Sequence, residues 1–182
     1  MIAKLASQNV HKLEELRAAL PDWQLELLGA DAFPPEDGET YYENARGKAE
    51  FGRSVAGEAW AIGEDSGIEL ATLGGRPGVQ SARWADDGVA RALEELAGAD
   101  DRRARYVCEL VALSPDGAEL RGTGILEGTI ASEPRGDEGF GYDPIFVPDG
   151  ETQTVAELGN AWKREHSHRA LAARALHSAF QT

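Results

Sequence analysis

Arg105-Tyr106-Val107-Cys108-Glu109-Leu110-Val111-Ala112-Leu113, the turn Pro115-Asp116-Gly117, and Glu119-Leu120-Arg121-Gly122-Thr123-Gly124-Ile125-Leu126-Glu127-Gly128-Thr129-Ile130 decide the fold. The first run is rich in apolar and β-branched residues, and the second alternates them with polar ones. Such runs bounded by Pro, Asp and Gly read as two strands of a hairpin. A hairpin pairs its strands antiparallel, so the sheet holding it is not purely parallel.

Outward from this hairpin, strand and helix patterns mix. Residues 1–6 read as a short buried strand. Residues 9–20 read as a helix with Leu13, Leu16 and Leu20 on one face. Residues 24–28 alternate as a strand, and Thr40-Tyr41-Tyr42-Glu43 matches the capping box that opens a helix running to about residue 56. Residues 59–62 and 67–72 read as two short strands, residues 74–78 as a loop, and residues 88–97 as a short helix. Residues 167–180 read as a last helix, with Ser167 as N-cap and Leu171, Ala175, Leu176 and Phe180 inward. The expected class is α/β with a mixed sheet, in a single domain spanning residues 1–182.

The chain has 182 residues, with 32 acidic against 18 basic side chains and a formal charge of −14. That balance argues against binding DNA, RNA or anionic membranes, which basic patches mediate. A small anionic ligand would need local cations or a metal to overcome this field. Cys108 is the single cysteine, so there is no intramolecular disulfide, and it reads as a small core residue. There is no apolar run of membrane-spanning length and no secretory signal, so the expected location is cytoplasmic.

Six segments carry chemistry. Ser7-Gln8-Asn9-Val10-His11-Lys12 opens the first helix, where unpaired N–H groups attract phosphate and Lys12 adds a charge; an ordinary Asn cap is the competing account. Glu64-Asp65-Ser66-Gly67 sets paired acids at the end of a strand. An aspartate there could hold Mg²⁺ or take a proton from water, and an Asx turn with solvated acids is the alternative. Glu36-Asp37-Gly38-Glu39 offers more carboxylates. In Arg135-Gly136-Asp137-Glu138-Gly139-Phe140-Gly141-Tyr142-Asp143-Pro144, glycines and Asp-Pro shape a loop. Its Phe140, Tyr142 and Asp143 suit a flat, hydrogen-bonding base, or else the two aromatics tuck into the core. Lys163 with Ser167-His168-Arg169 puts cations in the first turn of a helix, where the dipole disfavours them unless an anion or an acid offsets the cost. His166-Ser167-His168 has no third ligand nearby for zinc. Arg83 suits phosphate support or a salt bridge equally. Together these segments describe a nucleoside triphosphate site.

The stretches SQNVHKLEEL (Ser7–Leu16), EDGETYYENARGKA (Glu36–Ala49), EDSGIELATLGGRPGVQSAR (Glu64–Arg83), RARYVCELVAL (Arg103–Leu113), GFGYDPIFVP (Gly139–Pro148), AEL (Ala156–Leu158), and Lys163 with SHR (Ser167–Arg169) run through nearly the whole chain. In this order they resemble the inosine triphosphate pyrophosphatase family, the Ham1-like dITP/XTP pyrophosphatases. The resemblance implies an elongated mixed β-sheet flanked by helices in two lobes with a central substrate cleft, and a homodimer. It implies Mg²⁺-dependent hydrolysis of ITP, dITP and XTP to the monophosphate and pyrophosphate, which cleanses the nucleotide pool. By the same resemblance Asp65 is the catalytic acid and a metal ligand, and Glu36 the other metal carboxylate, with Glu39, Glu43 and Glu64 as rivals. Ser7, Gln8, Asn9, Val10, His11, Lys12 and Ser66 match the phosphate side. Phe140, Gly141, Tyr142 and Asp143 match the base loop, and Lys163, His168 and Arg169 match the residues that hold base and phosphate. Gln8 stands where the family usually has glycine, and Trp162 where an acid is common. A Maf-like pyrophosphatase of other base preference and a non-catalytic nucleotide sensor are the rival functions.

Overall fold

A computed structural model describes residues 1–30 and 32–181. Its elements are β1 (Ile2–Leu5), α1 (Val10–Ala19), β2 (Gln24–Leu27), α2 (Tyr41–Val55), β3 (Trp60–Leu70), α3 (Gly88–Glu95), β4 (Arg103–Leu113), β5 (Glu119–Ile130), β6 (Phe146–Pro148), α4 (Val155–His166) and α5 (His168–Phe180). The strands follow the order β2-β1-β3-β4-β5-β6. β1 runs parallel to β2 and β3, with Ala3 opposite both Leu25 and Trp60, while β6 runs antiparallel to β5. The α/β class and the mixed sheet expected from the hairpin are borne out.

The chain forms two compact units. One comprises Met1–Asp65, Cys108–Gly124 and Arg169–Thr182; the other comprises Ser66–Val107 and Ile125–His168. Each has its own core. In the first, Leu13, Leu16 and Leu20 of α1 meet Leu5, Ile62, Leu110 and Leu176. In the second, Ile68 and Leu70 meet Leu96, Tyr106, Ile145 and Phe146.

Local chemistry explains the helices that matter most. Asn9 caps α1, its side-chain oxygen accepting from the N–H groups of His11 and Lys12 at 3.0 and 3.2 Å. Thr40 and Glu43 close the foreseen capping box on α2. α2 buries Tyr41, Asn44, Ala45, Lys48, Ala49 and Gly52, a stripe at helical spacing with two polar members. It lies against β3 at Gly63, where an added Cβ would stand 1.9 Å from the Ala45 carbonyl oxygen and 2.6 Å from the Ala49 nitrogen. Gly63→Ala is therefore expected to push α2 off the strand. Overpacking of this kind costs about 1–3 kcal/mol. The expected result is a lower melting temperature together with lost activity, since Asn44 and Lys48 ride on that helix; wild-type melting and turnover would show that the contact relaxes freely.

Several expectations need correction. Residues 59–62 and 67–72 are not two strands: β3 is continuous from Trp60 to Leu70, so Glu64 and Asp65 lie in mid-strand rather than at a strand end. Ser167, expected at the cap of the last helix, directly precedes α5 with extended backbone (φ −63°, ψ 156°), and it also ends α4, its N–H donating to the Lys163 carbonyl. On α5, Leu176 is buried and Leu171 half-buried as expected, and Phe180, though 44% exposed, packs edge-on against Trp23 and Trp60; Ala175 is exposed, and Arg169, Ala170, Ala172 and Ala173 complete the inward face. The close approach of α5 to Gly122 selects small residues: a Cβ on Gly122 would meet the Ala172 oxygen at 2.2 Å. β6 and α4 were not foreseen. β6 is only three residues long. α4 is interrupted by Gly159 at φ 82°, which breaks its periodicity.

Candidate active site

Two polar clusters hold the expected site residues, one in each unit. That of the first unit is built on β3. Successive side chains of a strand point to opposite faces, and Glu64 and Asp65 meet different partners accordingly. Glu64 is 2% exposed. It accepts from Lys12 Nζ at 2.6 Å and Arg169 Nε at 3.1 Å, with Cys108 Sγ at 3.6 Å. Arg169 also reaches Glu15 at 2.7 Å. Burial opposes charge on Glu64, but Lys12, Arg169 and Lys48 outweigh it and hold the carboxyl well below its ordinary value.

Asp65 faces α2 instead. Asn44 Nδ2 donates to it at 3.0 Å, and Lys48 Nζ lies 3.5 Å away while donating to the Glu64 carbonyl at 2.9 Å. Burial raises the Asp65 carboxyl, against Lys48 and Asn44 and with help from Glu64 and Glu36. Burial works against the Lys48 ammonium, but Asp65, Glu64 and Glu36 more than offset it and push its pKa up. Two neighbouring acids are thus shifted in opposite directions, Glu64 down and Asp65 up.

Four carboxylates were rivals as partners of Asp65. Glu43 is taken up by the α2 cap, Glu64 by Lys12 and Arg169, and Glu39 is exposed. Glu36 pairs with Lys48, so it shares a cation with Asp65. The Asn44 side-chain oxygen accepts from Gly38 N at 2.9 Å and holds this loop. Among the described residues no three His, Cys, Asp or Glu side chains group to hold a metal ion. Two oxygen donors around one cationic position do suit Mg²⁺, which keeps waters and takes phosphate oxygens as its other ligands.

The remaining expected residues fall as follows. Ser7 Oγ accepts from Asn9 N at 3.0 Å, shaping the turn into α1, while Gln8, Val10 and His11 are exposed. Ser66 follows Asp65 on β3, half-buried. Arg169, expected at a ligand, is 2% exposed between Glu15 and Glu64; the acid partner is what offsets its place at the start of α5. Arg83 is exposed and donates to the Gln80 side chain at 2.8 Å.

The cluster of the second unit is built around Asp143, which is 3% exposed. Its carboxylate accepts from Lys163 Nζ at 2.7 Å, Phe140 N at 2.8 Å and the Tyr106 hydroxyl at 3.2 Å. The Lys163 ammonium lies 4.2 Å from the centre of the half-buried Phe140 ring. The loop closes this tightly because Gly139, at φ 80°, has no Cβ; one would sit 2.3 Å from an Asp143 oxygen. Gly141 is exposed at the turn. Tyr142 turns into the core, its hydroxyl donating to the Ser81 carbonyl at 2.9 Å. Phe140 and Tyr142 therefore do not form one displayed aromatic face. His168 is buried and stacks on Tyr106 at 4.5 Å and 9°. A cavity of about 410 Å³ in this unit, lined by Glu69, Arg103, Arg105 and Glu127 among others, shares no residue with either cluster.

Sequence reasoning missed Glu15, Asn44, Lys48 and Tyr106. Asn44 and Lys48 had a signal: four residues apart, they share a helix face with Tyr41, Ala45 and Ala49. Tyr106 had none, since it sits in an apolar run.

The fold defines an α/β protein with a mixed sheet, and its strand β3 carries two adjacent buried acids. Comparison with known proteins gives the lineage: the chain belongs to the Ham1 family, whose family model matches residues 3–179. It is 42% identical over 192 residues to the dITP/XTP pyrophosphatase of Bdellovibrio bacteriovorus, covering 98% of this chain and 96% of that protein. It is also 42% identical over 182 residues to the dITP/XTP pyrophosphatase of Deinococcus deserti, covering 96% and 87%. Among solved structures it resembles the Ham1 protein of Staphylococcus aureus, with a TM-score of 0.87, 32% identity, and coverage of 100% and 98%. A HAM1 protein from Coxiella burnetii matches with a TM-score of 0.83, 36% identity and the same coverage.

Proposed function

We propose that this protein hydrolyses non-standard purine nucleoside triphosphates, the ITP, dITP and XTP class, to the monophosphate and pyrophosphate. The observation that carries the reading is geometric: Asp65 is buried on β3, Asn44 Nδ2 donates to it at 3.0 Å, and Lys48 brings Asp65 and Glu36 to one cation, so two carboxylates converge on a single position. Asp65 is the group that takes a proton from water attacking the α-phosphorus, and Asn44 and Lys48 fix its orientation. Glu36 and Asp65 would hold Mg²⁺, which supplies charge neutralisation of phosphate oxygens. The N-terminus of α1 offers backbone N–H groups and a partial positive charge to the departing pyrophosphate. Lys12 and Arg169 keep Glu64 ionised and fix the local frame.

Phe140, Lys163 and His168 supply the ring face and polar edge for the base. Deamination replaces an amino donor at position 6 with a carbonyl acceptor, so donors placed there accept inosine and leave adenine unpaired. The names of the curated relatives support the same substrate class. The test is pyrophosphate and monophosphate release from ITP, XTP, dTTP, UTP and ATP with Mg²⁺ and with EDTA. Release from ITP and XTP that EDTA stops is expected. Preference for dTTP or UTP would instead indicate a Maf-like specificity, and binding without release a sensor.

A further inference from the structure

Tyr106 occupies a position on β4 where Leu or Phe would satisfy the core. Its ring packs on Phe146 at 4.5 Å and lies parallel to His168 at 4.5 Å. Its hydroxyl, in a residue only 6% exposed, donates to Asp143 Oδ1 at 3.2 Å. The other Asp143 oxygen holds Lys163 Nζ and Phe140 N. One side chain therefore touches two separate parts of the second unit: the glycine-bounded loop at 139–143, and the residue that opens α5. A buried hydroxyl costs free energy unless it is bonded, so its presence in this core is tied to Asp143.

We propose that Tyr106 is a positioning residue for base selectivity. Through Asp143 it sets where the Lys163 ammonium stands over the Phe140 ring, and through its ring it sets the plane of His168. The inference rests on the reading that Phe140, Lys163 and His168 hold the base. A polar edge discriminates between carbonyl and amino groups when its donors are held where the carbonyl pairs them, because the amino group then leaves those donors unpaired. Asp143, already accepting from Lys163, Phe140 and Tyr106, acts in this arrangement as the hub that orients Lys163.

Two variants separate the hydroxyl from the ring. Tyr106→Phe keeps the stack on His168 and removes the bond to Asp143; Tyr106→Leu removes both. Steady-state kinetics with ITP and ATP, alongside thermal melts, provide the readout. For Tyr106→Phe the KM for ITP is expected to rise about 10-fold, the loss typical of one hydrogen bond to a charged group, with kcat changed less than about 2-fold. The preference for ITP over ATP is expected to fall by a similar factor, and further in Tyr106→Leu. An unchanged KM and preference in Tyr106→Phe overturns the proposal. So does an equal loss for both nucleotides with a lowered melting temperature, which is the signature of a purely structural role. A wild-type enzyme that releases no pyrophosphate from any purine triphosphate overturns the base reading and this inference together.

Discussion

Asp65→Asn is expected to lower kcat for ITP by about 10³-fold while nucleotide binding persists, as loss of a positioned general base does. The amide keeps the shape of the side chain and its contact with Asn44, but it cannot take a proton. Burial disfavours the Asp65 charge, with Glu64 and Glu36 adding to that effect. A group whose folded pKa is raised costs stability once pH climbs above its unfolded value, so removing that charge is not expected to lower the melting temperature. Pyrophosphate release, calorimetric titration with ITP and a thermal melt check the three parts. Near-normal turnover would end the assignment of Asp65 as the base.

Arg169→Ala is expected to unfold the first unit more readily, not simply to weaken substrate binding. The Arg169 side chain is buried between Glu15 and Glu64. Removing one partner of a buried ion pair costs about 3–5 kcal/mol, because the other charge stays buried. For a chain of this size the melting temperature should drop on the order of 10 °C. The pH dependence has a definite sign. The Glu64 carboxyl is held well below its ordinary value of 4.5. Its contribution is therefore present above 4.5 and lost as pH falls through the lower folded value. Without Arg169 that folded value moves up, so acid unfolding should begin at a higher pH. A variant that melts like wild type and differs only in KM would show that Arg169 serves the ligand rather than the fold.

Local signals read well. The Thr40–Glu43 capping box, the Asn9 cap, the leucine stripe of α1 and the hairpin turn at Pro115–Gly117 are each complete within a few residues, so the chain alone specifies them. Features needing a distant partner did not read. Nothing near Gly63 in sequence shows that the Ala45 carbonyl lies against it, and β3 looked broken because two acids and two glycines interrupt its apolar pattern. Cations at Lys12 and Arg169 were visible, but Glu64 as their shared partner was not.

The sequence by itself determined the secondary elements with strong local chemistry, the mixed character of the sheet and the membership implied by its motifs, since each depends on residue type and spacing. Only the tertiary structure decided which of two adjacent acids is paired with Lys12 and Arg169 and which faces Asn44 and Lys48. That choice depends on which face of β3 meets α1 and α5 and which meets α2, and charge, burial and distance act through space rather than along the chain.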